Sequence, residues 1–184
     1  MMGAALPRSL GRDRSTWWAG PLALVLAVAT FVHLGSDANA AAWAIVQVAL
    51  VALAAIDVAT RLLPNRITLP VSAVAVGLRA VDNRSALLEV AVAGLAAFAA
   101  FYLIALLVRG GFGMGDVKLA AMLGFLLGKA VIPALLVGVV AGGVFSAVIL
   151  ATRRAGMRSS IAYGPFLALG GAAAILFANP PPLV

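Results

Sequence analysis

From Trp17 onward the chain passes through one apolar stretch after another, separated only by short segments rich in Arg, Gly, Pro and Asn. No soluble fold of this size can hide so much apolar surface. Of the 184 residues 64% are hydrophobic and 10% are charged, whereas a soluble domain carries about 45–50% apolar and about 25% charged residues. Lipid must therefore be the solvent for most of the chain, and its length suits one compact bundle.

A spanning helix needs about 20 apolar residues. On that basis the sequence predicts an all-α integral membrane bundle of about seven transmembrane helices, covering 17–34, 40–60, 68–80, 87–108, 117–127, 134–151 and 161–178. Pro64 and Asn65 stop the second helix. Thr68 is the expected N-cap of the third, with Pro70 in its first turn. This third segment is short and would need Arg79 to snorkel outward. A glycine-rich break, Arg109 to Asp116, precedes the fifth helix, and Lys129 and Pro133 separate the fifth from the sixth. The chain divides into residues 1–39 (a tail and an extra helix), a six-helix core over 40–178, and a polar, proline-rich tail over 179–184. Three arginines, an apolar stretch and Ala38-Asn39-Ala40 resemble a signal peptide, but the stretch exceeds the usual length and is read here as a membrane helix.

Basic residues set the orientation. With the N-terminus cytoplasmic, the inner side receives Arg8, Arg12, Arg14, Arg61, Arg66, Arg109, Lys118, Arg153, Arg154 and Arg158, and the outer side Arg79, Arg84 and Lys129. This is the positive-inside pattern. If the short fifth segment did not cross, Arg153, Arg154 and Arg158 would move outside and the bias would vanish. The fifth segment is therefore a true crossing, and the C-terminus lies outside.

The formal net charge of +7 is spread singly between apolar runs and forms no basic stripe, so nucleic acid is not an expected partner. The absence of cysteine removes disulfides, thiol catalysis and thiolate metal sites. His33, the single histidine, cannot build a metal site alone and reads as an interfacial side chain. No cofactor is expected.

Acidic groups are few: Asp13, Asp37, Asp57, Asp82, Glu89 and Asp116. Those at membrane level are costly, which makes function their default reading. Glu89 lies near the outer surface, where solvation or an ion pair with Arg84 accounts for it. Asp57 ends the second helix and Asp116 opens the fifth, so a topology built from basic residues alone brings both to one cytoplasmic depth. Two adjacent carboxylates resist ionising together and share a proton. One then activates a water while the other donates to the carbonyl oxygen under attack. Gly113 and Gly115 leave room for a backbone or a substrate peptide beside Asp116. A solvated Asp at a helix N-terminus explains the same spacing.

Three segments carry a resemblance. Asp57-Val-Ala-Thr-Arg-Leu-Leu-Pro-Asn-Arg-Ile-Thr-Leu-Pro70 resembles the first aspartate motif of the type IV prepilin peptidases. Gly113-Met-Gly-Asp116-Val-Lys-Leu-Ala-Ala-Met-Leu-Gly124 resembles their GxGD motif and its continuation, and Tyr163-Gly-Pro-Phe-Leu-Ala-Leu-Gly170 their C-terminal Gly-Pro-Phe segment. GxGD occurs also in presenilin-type and signal-peptide peptidases, but the other two segments favour the prepilin group. The resemblance covers roughly 40–171 and leaves the first helix outside.

The resemblance implies cleavage of a basic leader from a prepilin-like precursor at the cytoplasmic face, with Asp57 and Asp116 as the catalytic pair. Larger family members carry a cysteine-rich insert and methylate the new N-terminus. This chain looks like the short, peptidase-only form associated with Flp/Tad pili, related systems or preflagellins. Pro64 and Asn65 either shape the pocket or simply stop a helix. Lys118 either tunes an aspartate or snorkels. Gly164 and Pro165 either line the site or start the last helix. A proton-coupled transporter would want ionisable groups at several depths, and a non-catalytic pilus scaffold gives no reason for two aspartates at matching depth.

Overall fold

The computed structural model describes residues 16–82, 84–107, 113–152, 163–178 and 180–183. Arg8, Arg12, Asp13, Arg14, Arg109, Arg153, Arg154, Arg158, Ile161 and Asn179 lie outside them. Seven α-helices are described: α1 Ala19–Leu34, α2 Ala38–Thr60, α3 Asn65–Asp82, α4 Arg84–Leu107, α5 Met114–Leu127, α6 Val131–Ala151 and α7 Gly164–Phe177. Among the described residues there is no strand. Three stretches are long and apolar enough to cross a membrane: Ala38–Thr60, Ser85–Leu107 and Met114–Ala151. Helices α1 and α7 are shorter apolar helices. The chain is therefore a polytopic helical membrane protein.

Helix α5 occupies the centre. Val117, Leu119, Met122, Leu123, Leu126 and Leu127 are all buried, so it meets protein on nearly every side. Trp43, Leu50 and Leu53 of α2 and Leu167 and Ile175 of α7 complete the core. The large side chains exposed on α1, α4 and α6, among them Leu24, Val28, Leu95, Leu103, Val140 and Val144, form the lipid-facing shell.

Small residues set the closest helix contacts, because backbone approach rather than water exclusion drives packing in lipid. A Cβ on Gly124 would lie 2.6 Å from the Cα of Gly94, which locks α5 against α4. A Cβ on Gly138 would lie 2.9 Å from the Phe166 carbonyl, and one on Gly142 would lie 2.6 Å from the Tyr163 ring, so α6 rides on α7.

Several boundaries differ from the sequence reading. Helix α3 begins at Asn65, not at Thr68. The Pro64 carbonyl accepts the Ile67 and Thr68 N–H groups at 3.0 and 3.3 Å, so Pro64 precedes the first turn and Thr68 caps nothing. Pro70 then falls inside the helix, beyond its first turn. Met114 rather than Val117 starts α5, because its first turn is closed by N–H groups of Asp116 and Val117 on the Gly113 carbonyl. Lys129 does separate α5 from α6, within a 3-10 turn Gly128–Ala130, but Pro133 sits in the first turn of α6. Gly128 has φ +55°, and a Cβ there would also lie 2.8 Å from the Glu89 carboxylate. At the start of α2, Asp37 is more than a loop residue, because its Oδ1 accepts the Ala40 N–H at 2.8 Å.

Two charged side chains behave differently from expectation. Arg79 does not snorkel out. It is 2% exposed, and its Nη2 donates to the Pro181 carbonyl at 2.9 Å. Glu89 pairs with Lys129 at 3.4 Å and also accepts the Lys129 N–H. The tail does not project either, since the Leu183 N–H donates to Asn39 Oδ1 at 2.6 Å and its side chain is buried. Residues 180–183 thus close over the end of the bundle formed by the start of α2 and the ends of α3 and α5. His33 meets the Phe177 ring edge-on with centroids 5.7 Å apart, near that same end.

Candidate active site

The opposite end holds the carboxylates. Helix α2 terminates because Arg61 takes the left-handed conformation (φ 55°, ψ 29°) and returns its N–H to the Asp57 carbonyl at 2.8 Å. Asp57 is therefore one turn from the end of α2, and it is buried. Its Oδ2 accepts the N–H of Gly164, the first residue of α7, at 3.0 Å. A helix N-terminus leaves such N–H groups without intrahelical partners and favours a negative charge. Gly164 is needed for the approach, since a Cβ there would lie 2.6 Å from Asp57 Oδ2.

Asp116 is the third residue of α5 and is also buried. Its Oδ2 reaches back to accept the Gly113 N–H at 3.1 Å, the return half of a capping interaction. The Gly115–Leu63 and Lys118–Asn65 contacts bring the start of α5, with Asp116, beside the end of α2, with Asp57. The two carboxylates thus come from different helices, and each is held by one main-chain N–H. Among the described residues no group of three His, Asp or Glu side chains is placed to hold a metal.

The supporting residues separate into distinct roles. Gly115 packs against Leu63, whose Cβ would lie 3.0 Å from an added Cβ, so it seats the start of α5 on the α2–α3 connection. Gly113 meets only an ordinary 3.6 Å contact at that position, and its N–H is what the site uses. Lys118 donates to Asn65 Oδ1 at 3.0 Å and joins α5 to the start of α3. Pro165 lies in the first turn of α7. Tyr163, not singled out from the sequence, directs its hydroxyl to the Val139 carbonyl at 2.9 Å and fixes the approach of α6 to this end. The Tyr-Gly-Pro order was the available signal, but as a helix start it reads the same with or without a carboxylate opposite.

A bundle of apolar helices with two buried carboxylates at one end places the chain among helical membrane proteins with acidic groups inside the protein. Residues 44–147 match the type IV leader peptidase family, and the chain belongs to that family. The match includes Asp57 and Asp116 and stops before α7. The chain is 36% identical over 140 residues to the prepilin leader peptidase/N-methyltransferase of Burkholderia pseudomallei (strain K96243), covering 72% of this chain and 45% of that protein. It is 33% identical over 153 residues to the protein of the same name from Stutzerimonas stutzeri, covering 80% and 53%. With that of Bacillus subtilis (strain 168) it shares 34% over 134 residues, covering 71% and 53%. The chain spans about half the length of the curated relatives it matches. No solved structure matches it.

Proposed function

We propose that this chain is an intramembrane aspartic endopeptidase. It removes the basic leader from a type IV prepilin-like precursor (a Flp/Tad pilin, a pseudopilin or a preflagellin) at the cytoplasmic face. The burial of Asp57 and Asp116 at one end of an apolar bundle, each accepting one main-chain N–H, is the observation that carries this reading. Each carboxylate spends one oxygen on a main-chain N–H. The remaining oxygens are available to a water and a peptide. One carboxylate takes a proton from the attacking water, the other protonates the carbonyl oxygen, and the amine leaves with a proton as the tetrahedral intermediate collapses.

In this reading all seven helices cross the bilayer, with the N-terminus cytoplasmic and the C-terminus outside. Residues 40–178 form the six-helix peptidase core and α1 is an addition to it. Helices α5 and α7 have 14 residues each, about 21 Å at 1.5 Å per residue. That is less than the hydrocarbon thickness of about 30 Å. The site at their first turns therefore lies below the membrane surface, open to water from the cytoplasm. The precursor brings a basic leader to that face and an apolar helix to the lipid beside it. In this reading cleavage is not coupled to N-methylation, as the resemblance to the short, peptidase-only form implies. No cofactor is required.

The test uses a tagged prepilin in membranes. Asp57→Asn and Asp116→Asn each abolish leader removal while the variants insert and accumulate as the parent does. Normal cleavage by either variant overturns the paired-carboxylate mechanism. The cleaved product keeps an unmethylated N-terminus, read by mass spectrometry.

A further inference from the structure

Midway along α2 lies a polar side chain that neither apolar packing nor the carboxylate chemistry explains. Gln47 is 0% exposed. Trp43, Gln47, Leu50, Ala54 and Asp57 recur at the alternating spacing that keeps residues on one helix face, and all five are buried. Two bonds cross from this face to α7. Asp57 Oδ2 accepts the Gly164 N–H at 3.0 Å, and Gln47 Nε2 donates to the Ala172 carbonyl at 3.3 Å. The two are separated by about 15 Å along α2 and about 12 Å along α7. They therefore fix the same antiparallel pair at two levels.

The surfaces between those levels offer little else to set register. Helix α7 presents Ala168, Gly171 and Ala172, and a Cβ on Gly171 would meet Leu123 of α5 at 2.5 Å and Leu50 of α2 at 3.3 Å. Small residues of this kind permit close approach, but at these three positions α7 carries no side chain long enough to interlock with α2. A hydrogen bond is directional and resists sliding. The Gln47 amide also has a clear cost. Its Oε1 and the Trp43 Nε1, one turn away on the same face, are buried without hydrogen-bond partners among the described residues. A leucine would fill the same space with no such penalty.

We infer that Gln47 is a positioning residue: its bond to the Ala172 carbonyl holds α7 in the axial register at which the Gly164 N–H meets Asp57. The activity part of this inference rests on the peptidase reading above, whereas the geometric part does not. Asp57 accepts at 3.0 Å from a residue with no spare room around it, so even a small slide of α7 breaks the contact or drives the two together.

Two measurements on the purified full chain in lipid test this. The first is steady-state cleavage of a prepilin-like peptide by the parent, Gln47→Leu and Gln47→Glu. Gln47→Leu lowers kcat by about tenfold or more with KM changed less than about twofold, the signature of a group that acts on the reacting centre and not on substrate binding. Gln47→Glu, whose protonated carboxyl donates to the same carbonyl, retains most of the rate. The second is the distance between spin labels on Val58→Cys of α2 and Leu169→Cys of α7, both exposed positions in a chain without native cysteine. The distribution shifts or broadens in Gln47→Leu and stays as in the parent in Gln47→Glu. Unchanged distances in Gln47→Leu overturn the inference, whether or not cleavage is lost. Unchanged kcat overturns it also. If the parent itself does not cleave, the peptidase reading fails, and the label distances alone then decide the role of Gln47.

Discussion

Gly113 and Gly164 each offer one main-chain N–H to one carboxylate, yet they differ in the room around them. A methyl group on Gly164 meets Asp57 Oδ2 at 2.6 Å, and on Gly113 it meets Asp116 Oδ2 at 3.6 Å. Gly164→Ala is expected to lower the cleavage rate by about 100-fold, the scale set by small misplacements of reacting groups. Gly113→Ala should cleave within about threefold of the parent, since its N–H remains and ordinary contact costs little. Comparable losses in both would mean that the glycines serve flexibility and not fit. The two aspartates were legible in the sequence because a carboxylate at membrane level is rare and expensive. The partners that hold them were not, because a main-chain N–H leaves no mark on composition. Lys118 shows the same limit: from its spacing it either tunes an aspartate or snorkels, and the bond to Asn65 that the fold gives it leaves no mark in the sequence.

At the scale of elements, apolar runs bounded by Gly, Pro and Asn located all seven described helices, with most ends displaced by a few residues. The ends were misjudged where hydrogen bonding, not hydropathy, decides them. Pro64 donates no N–H but accepts two, and this moves the start of α3 ahead of Thr68. Contacts between helices leave little trace in hydropathy, and the Gly124 contact with α4 shows what sets one of them. Gly124→Val must force α4 and α5 apart, since even its Cβ would lie 2.6 Å from Gly94 Cα and 2.7 Å from the Ala93 carbonyl. Overpacking of a tight interface costs about 1–3 kcal/mol. The variant should melt several degrees lower than the parent in detergent micelles, as read by loss of monodisperse protein on heating. An unchanged melting temperature would show that α4 yields without cost. The Lys129–Glu89 pair, with Lys129 largely exposed, contributes little by comparison.

For the whole molecule, the described residues sort into two ends. Asp57, Asn65, Asp116 and Gly164 are joined at one by the bonds of the carboxylate site and the Lys118–Asn65 contact. Asn39, Arg79, Pro181 and Leu183 are joined at the other. The proposed orientation puts the first end in the cytoplasm and the second outside. A reporter enzyme active only outside the cytoplasm, fused after Val184, should therefore be active, and the same reporter fused after Asp82 should be active too. Fusions after Thr60 and Thr152 should be silent, and activity there would invert the bundle. Charge bias is what argues for this orientation, but it carries no hint that the tail folds back and shields Arg79. That tie pairs residues far apart in sequence, and local pattern carries no trace of it. The main-chain grip on Asp57 and Asp116 has a further consequence for how such a protein diverges. A side-chain partner is lost by one substitution at its own position, whereas a main-chain N–H persists under any substitution but proline. Gly164 itself must nonetheless stay glycine, because a Cβ there would lie 2.6 Å from Asp57 Oδ2. Mutations can rewrite most lipid-facing positions without loosening either carboxylate, provided the helices keep their register. Two lineages can thus share about a third of their residues and inherit the same grip, because what holds the carboxylates is the path of the chain.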